Sequence, residues 1–412
     1  MRIQKPPAIV IGLDCMTGLQ TARILARRGV PVIGIATNPD HYCCQTNVCE
    51  RILRANVKTE EFIIALENLA RGLKQKAVLI PCTDMSVLQI SRHRARLQGA
   101  YLFALPKHET VAMLMDKIGF YKFAMAEGLP VPGTYFLENR TEAEEASRKL
   151  SYPCILKPPM KTPLWEQNTS KKVYKAENAR EFMQIYDQCL HWADVLMAQA
   201  WVEGSDANLY SVNCYFDAGS EPLVTFVARK LRQWPVETGT SCLGEEVRND
   251  AVLEATLALF RSVDYCGLGY VEMKRDDRTD DHYIIEPNIG RPTGRSAISE
   301  AGGVELVYTA YCDLAGLPLP PNRTQQYQGV KWISIRRDFQ SALYYWRRGR
   351  LSLGEWAESW RGKKGYAIFD WRDQKPFWHD IWRVIQLSLG HGSEDEEEAV
   401  PIVTGQPSNS PL

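Results

Sequence analysis

The chain has 412 residues, of which 45% are hydrophobic and 24% charged, and its 49 Lys and Arg balance 49 Asp and Glu. That composition excludes wholesale disorder and is enough for two or three domains with sizeable cores. A net charge of zero lacks the broad positive field of non-specific nucleic-acid binding, so no nucleic-acid partner is expected.

Eleven cysteines, an odd number spread over a long chain, point to a reducing cytosol rather than a disulfide scaffold. The apolar run Ala8 to Leu13 is too short for a signal-peptide core. No run of roughly 18 apolar residues occurs, so no transmembrane segment is expected. The expectation is a soluble, cytoplasmic protein.

Taken in chain order, Ala8-Ile-Val-Ile-Gly-Leu13 reads as a buried parallel strand and Thr17 to Arg28 as a helix stopped by Gly29. Pro31 to Ala36 is a second strand, Thr59 to Leu73 a helix, Ala77 to Ile80 a third strand; Ser86 to Leu97 and Tyr101 to Leu105 continue the series. Strands separated by helices call for a parallel sheet, here a Rossmann-like domain over 1–110. Val111 to Ala126 reads as one amphipathic helix closed by Gly128-Leu-Pro-Val-Pro132, a hinge or boundary. A small α+β unit follows: strand Tyr135–Leu137, helix Thr141–Leu150, strand Cys154–Lys157 and helix Glu177–Gln188. Strand patterns then dominate up to Asn288, interrupted by a helix at Asp250–Val263. The Trp- and Arg-rich segment beyond Lys331 reads as an appended helical extension, and 391–412 as a disordered acidic tail.

Gly12-Leu-Asp-Cys-Met-Thr-Gly18 sits where a phosphate-binding turn would, but the G-x-G-x-x-G and G-x4-G-K-[ST] patterns are absent. Ala36-Thr-Asn-Pro39 offers no acidic ribose partner, so a nicotinamide oxidoreductase is disfavoured and the loop is a plain turn or a substrate-side loop. Cys43, Cys44 and Cys49 near His41 lack the second knuckle of a structural zinc site and read as incidental thiols.

The richest stretch is Leu268-Gly-Tyr-Val-Glu-Met-Lys-Arg275 followed by His282-Tyr-Ile-Ile-Glu-Pro-Asn288, two strand patterns around a polar turn. A turn centred on Thr279 places Glu272 opposite Glu286, and Tyr270 opposite Asn288 on the same face. Facing carboxylates repel unless compensated, and a divalent cation with an added amide oxygen compensates them. The alternative is a solvated hairpin. Arg291 and Arg295 follow at once, two forks suited to a carboxylate or phosphate, or else surface arginines. Lys117, Lys157, Lys172 and the run Arg229-Lys-Leu-Arg232 add cations upstream.

These ordered motifs resemble the ATP-grasp superfamily, in particular carboxylate–amine ligases similar to D-aspartate ligase. The resemblance runs from Gly12…Thr17-Gly18-Leu19 through Pro81-Cys-Thr-Asp84, Asp116-Lys117…Tyr121 and Leu156-Lys-Pro158 to Gln199-Ala-Trp-Val-Glu-Gly204, then Arg229-Lys-Leu-Arg-Gln-Trp-Pro235 and Glu286-Pro-Asn288. It implies an α/β and α+β chain with the ATP-grasp fold. A Rossmann-like pre-ATP-grasp domain would cover 1–110, a lid lobe with its leading helix 111–197, and a metal-bearing lobe 198–325. A C-terminal extension would follow over 326–390.

By the same resemblance, Lys117, Lys157 and Lys172 would grip phosphates. Gln199, Trp201 and Val202 would frame adenine, with Asp206 or Asn208 near the ribose. Glu272, Glu286 and Asn288 would hold magnesium, with manganese as a substitute. Lys230, Arg232, Arg291 and Arg295 would orient the acyl substrate. The segment after Lys157 has no glycine up to Ser170, so Lys161 and Lys172 would serve where a glycine-rich lid usually does. The implied activity is ATP-dependent coupling of a small-molecule carboxylate to an amine through an acylphosphate. An ATP-dependent carboxylase and a non-catalytic nucleotide-binding regulator are the alternatives, and a homodimer is left open.

Overall fold

A computed structural model describes residues 5–160, 162–236 and 239–389. Lys161 and the acidic tail 391–412 lie outside the described residues. Among the described residues, no helix is long and apolar enough to cross a membrane.

The first sheet is five-stranded and parallel, in the order β3-β2-β1-β4-β5. Its strands are β1 (Ala8–Ile11), β2 (Val32–Ala36), β3 (Arg51–Arg54), β4 (Ala77–Pro81) and β5 (Tyr101–Leu102). β1, β2 and β4 are buried on both faces, as crossover helices on each side require. The helix Met16–Ala26 follows β1 so closely that a Cβ at Gly18 would lie 2.2 Å from the Gly12 carbonyl oxygen. Only glycine fits there. β3, with its polar ends exposed, was not expected from the sequence.

The single helix expected over 111–126 is two, His108–Met115 and Lys117–Ala126. Asp116 breaks it with extended backbone (φ −88°, ψ 121°), its side chain accepting from Gly119 N at 2.7 Å. An N-capping carboxylate satisfies a donor that the new helix leaves open. Lys117 thereby becomes the first residue of the second helix.

The small lobe is a four-stranded antiparallel sheet, ordered β6-β9-β7-β8: β6 (Thr134–Leu137), β7 (Cys154–Lys157), β8 (Tyr174–Ala176) and β9 (Leu196–Ala200). It has its own core around Leu156, Trp165 and Phe182. The glycine-free segment after Lys157 folds in part as the helix Pro163–Asn168. Fully buried Trp165 anchors it, donating Nε1–H to the Lys171 carbonyl at 3.0 Å.

The large sheet has seven strands, β14-β13-β10-β11-β12-β15-β16. They are β10 (Leu209–Phe216), β11 (Pro222–Trp234), β12 (Thr240–Glu246), β13 (Gly267–Arg275), β14 (His282–Ile289), β15 (Lys331–Ile333) and β16 (Lys364–Tyr366). The last two correct the expectation of an appended helical extension. β15 pairs with β12 and β16 with β15, so the segment completes the sheet. Its helices Ile335–Arg347, Leu353–Ser359 and Lys375–Ser388 pack back on the body.

Two core clusters each join the first sheet to the large one: Ile9 and Ile35 share one with Val212 and Val271, and Leu19 and Leu25 share the other with Trp332 and Ile368. Polar contacts reinforce the second. Gln20 bonds to the Gly294 carbonyl (2.7 Å) and the Ala297 amide (2.9 Å), and Arg23 bonds to the Ile368 carbonyl (2.6 Å) and Asp373 (2.8 Å). The sequence-level boundary near residue 110 is therefore not a boundary between cores.

Candidate active site

β13 and β14 pair with Glu272 opposite Glu286 and Tyr270 opposite Asn288, the expected partners. Nearer the turn the register shifts, so that Met273 faces Ile284 and Ile285 is the extra residue of a bulge. Bulges re-aim side chains next to functional sites, and this one directly precedes Glu286.

Glu272 lies on the floor of an open cavity of about 790 Å³ between the large sheet and the loops that follow β1, β2 and β4. Lys230 Nζ stands 3.5 Å from its Oε2 and Arg295 Nη2 3.6 Å from its Oε1. Burial opposes its ionisation, but Lys230, Arg295 and Arg291 outweigh burial and lower its pKa. Glu286 goes the other way. Its side chain is exposed, yet nearby protein still desolvates it and the charge of Glu272 adds to that, so its pKa is raised against the pull of Lys117 and Lys157. One carboxylate is held charged by cations while the other lacks a matched partner, a pattern that a bound cation would complete.

Arg291 ties the hairpin to the first domain. It donates from Nη2 to Asn288 Oδ1 (2.7 Å) and from Nη1 to the Tyr270 hydroxyl (2.9 Å), while its Nε bonds Asp84. Asp84 opens the helix Asp84–Arg92, which Thr83 caps in a reciprocal box with Ser86. On the facing wall Asp14 accepts from the Thr37 and Asn38 amides, each at 2.8 Å. Asp14, His41, Lys58, Thr83, Arg337 and Arg383 line the same cavity and were not singled out from the sequence as site residues. The glycine-bounded loop around Asp14 was the one available signal.

Behind the hairpin, Lys157 ends β7. Burial and the neighbouring charge of Lys117 lower its pKa to about 8, with Glu286 opposing them. Lys157 from the small lobe and Lys117 from the helix Lys117–Ala126 thus both act on the Glu286 carboxylate, favouring its charged form. Lys172 lies exposed between the helix Pro163–Asn168 and β8.

The 199–208 stretch joins the small lobe to the large sheet. Val202 is buried, and Trp201 has the Lys274 and Lys175 ammoniums 4.8 and 5.5 Å from its ring centroid. Gln199 spends its amide on Thr134 Oγ1 (2.9 Å). Asn208 spends its own on the Arg275 carbonyl (3.1 Å) and Asp277 (2.6 Å), and Asp206 accepts from Gln233 (2.7 Å) and Tyr345 (3.1 Å).

Arg232 requires correction. β11 carries an extra residue between Lys230, which pairs with Gly244, and Arg232, which pairs with Leu243. Adjacent positions on β12 point to opposite faces, so the bulge sends Arg232 away from the cavity that Lys230 lines. It binds Asp338 instead. Cys43 and Cys44 are buried in core, and among the described residues no three His, Cys, Asp or Glu side chains could hold a metal together. The hairpin site supplies two carboxylates and an amide.

No protein-family model matches the chain. It is 22% identical over 232 residues to a D-aspartate ligase of Enterococcus faecium, covering 54% of this chain and 55% of that one. It is 26% identical over 117 residues to a D-alanine–D-alanine ligase of Bordetella avium, covering 28% of this chain and 35% of that one. The chain thus spans about half the length of the first curated relative and about a third of the second. Among solved structures, the ADP complex of an N5-carboxyaminoimidazole ribonucleotide synthetase matches with a TM-score of 0.63 at 16% identity, over 84% of this chain and 86% of that one. A biotin carboxylase from Campylobacter jejuni matches at a TM-score of 0.60 and 14% identity, over 79% and 74% of the two chains.

Proposed function

We propose, from the ATP-grasp fold that this chain shares with those synthetases and carboxylases, that it is an ATP-dependent carboxylate–amine ligase. One observation carries the reading. The facing Glu272–Glu286 pair feels the charges of Lys117 and Lys157 and has the cations Lys230, Arg291 and Arg295 beside it, lining a large cavity. The D-aspartate and D-alanine–D-alanine ligases among its relatives support the same class.

In this reading ATP lies between the small lobe and the large sheet, with adenine against the stretch from Gln199 to Val202 and the ribose toward Asp206 or Asn208. Lys117, Lys157 and Lys172 grip phosphate oxygens. Glu272, Glu286 and Asn288 are hard oxygen donors that suit magnesium, and manganese by the same chemistry. When bound, the cation neutralises charge on the transferred phosphoryl group. Lys230 and Arg295 stand beside Glu272, where they orient the substrate carboxylate and hold the negative oxygen of the tetrahedral intermediate. Arg291 keeps Asn288 and Tyr270 in place. The carboxylate oxygen attacks the γ-phosphorus and ADP leaves. The amine nitrogen then attacks the acyl carbon, phosphate departs, and the nitrogen loses its proton. Arg232 has no part in this.

None of the eleven cysteines forms a disulfide, which suits a cytoplasmic enzyme. A homodimer is compatible with the reading and is checked by sedimentation velocity. To test the activity, the protein is incubated with ATP, magnesium and a panel of amino acids, and ADP and condensed amides are followed by mass spectrometry. Amide formation with stoichiometric ADP is expected. ADP release that depends on bicarbonate alone would instead identify a carboxylase, and tighter binding of NAD than of ATP would defeat both.

A further inference from the structure

Arg291 engages all three of its nitrogens inside the protein. Nη2 donates to Asn288 Oδ1 at 2.7 Å, Nη1 to the Tyr270 hydroxyl at 2.9 Å, and Nε to Asp84. The guanidinium carbon stands 5.3 Å from the centroid of the Tyr270 ring, and the arginine side chain is only 13% exposed. A fork spent in this way is a bracket between protein groups. Two of those groups belong to the hairpin, and the third belongs to the first domain.

The backbone aims the bracket. Gly290 takes φ 70°, in the left-handed region, and turns Arg291 back over Asn288 three residues earlier. The Gly290 amide donates to the Tyr265 hydroxyl at 2.7 Å, which holds the turn. A Cβ at Gly290 would lie 2.5 Å from Val87 Cγ1 and 2.6 Å from Leu105 Cδ2, so the turn is pressed against the first domain. Val87 and Asp84 share the helix Asp84–Arg92. One helix therefore both seats the turn and supplies the carboxylate that Arg291 binds.

That carboxylate has no other evident task. Thr83 caps the helix, its Oγ1 accepting from the Ser86 amide at 3.3 Å while Ser86 Oγ accepts from the Thr83 amide at 3.2 Å. The Asp84 side chain is 59% exposed, and exposed ion pairs add little to folding. Asn288, by contrast, depends on Arg291 for its orientation. A divalent cation takes the amide oxygen and not the amide nitrogen. A guanidinium only donates, so Nη2 selects the rotamer that turns the oxygen toward it, and that oxygen keeps a second lone pair for a cation.

We infer that Asp84 is a positioning residue for the cation site. By holding Arg291 it fixes the Asn288 amide, so the first domain sets how tightly the hairpin binds a divalent cation. That the cation serves a ligase rests on the reading above; the relay rests on the contacts of Arg291.

The test is manganese binding to the full chain with ADP present, read by electron paramagnetic resonance. Asp84→Ala should weaken manganese about tenfold, the low end of the loss seen when a group that orients a metal ligand is removed. Metal-free ADP binding should be unchanged, and melting temperatures screen the fold. Asp84→Glu, whose longer carboxylate still reaches Arg291 from the surface, should recover most of the affinity. The rival is a direct field, since the charge of Asp84 is also felt at Glu286. An Asn288→Ala background separates the two: there Asp84→Ala should change manganese binding by no more than about twofold, because the group it acts on is gone. Manganese affinity equal to the parent's in Asp84→Ala, or the same loss with and without Asn288, overturns the relay. Amide formation is assayed alongside. Its absence while the coupling persists would overturn the ligase reading and leave the relay standing, and a parent that binds no manganese would remove the cation site and the relay together.

Discussion

Arg232 and Asp338 meet through two hydrogen bonds, Nε to Oδ1 at 2.8 Å and Nη2 to Oδ2 at 3.0 Å. The Asp338 side chain is fully buried, and the indole N–H groups of Trp356 (3.0 Å) and Trp360 (2.6 Å) also donate to it. One carboxylate therefore fastens two C-terminal helices to the bulge of β11.

Replacing Asp338 with Ala leaves a buried guanidinium and two indole donors without their acceptor. Losing one partner of a buried ion pair costs about 3–5 kcal/mol. Urea denaturation should show a loss of that order. If Asp338→Ala is as stable as the parent, the C-terminal segment is not held by this contact.

Glu286→Gln should cut turnover on the order of 10²–10³-fold, the range seen when a preorganised electrostatic contact is lost. Its stability should change with opposite sign. Because the Glu286 pKa is raised above 4.5, the folded protein holds that proton more tightly than the unfolded chain. Ionisation therefore costs stability as pH rises through the folded value. Without magnesium, Glu286→Gln should melt higher than the parent at pH 7 and lose that advantage at pH 4. Equal turnover at saturating magnesium would remove Glu286 from the site.

Lys157, with its pKa lowered to about 8, is partly neutral in the empty protein just above neutrality. Phosphate binding favours its ammonium form, so nucleotide binding takes up a proton. ATP affinity should fall as pH rises above about 8, approaching tenfold per pH unit. Lys157→Arg should flatten the profile between pH 7 and 9. An identical fall in the arginine variant would assign the titration to another group.

Ending the chain before Pro376 removes Asp380, the acceptor for Arg336, together with Phe377, which packs on the core beside the first domain. The melting temperature should drop by several degrees relative to a chain ending at Leu389. Unchanged melting, with loss of binding to lipid vesicles, would make the helix Lys375–Ser388 a membrane element instead.

The pairing within the candidate site was legible because its residues are close in sequence. Glu272, Glu286 and Asn288 belong to one hairpin, and period-two alternation puts them on one face. The bulge at Ile285 was not legible, since it changes no residue pattern, yet it keeps the pairing at Glu286 while shifting it nearer the turn. Arg232 failed for the same reason, because a bulge reverses facing without altering composition. Asp14, Arg337 and Arg383 were missed because only tertiary closure joins them, across more than 300 positions of sequence. The strands β15 and β16, of three residues each, are too short to show alternation, and that turned a sheet edge into an expected helical appendage.

The contacts of the helix Met16–Ala26 also set a clock on biosynthesis. Arg23 waits for Asp373, 350 positions downstream. At about 5–20 residues per second, that partner is made roughly 20–70 s after Arg23 itself. Throughout that interval the nascent first domain carries an uncovered apolar helix face and an unmatched guanidinium, a surface open to chaperones or to other nascent chains. Products terminated before residue 368 would keep that surface uncovered for good.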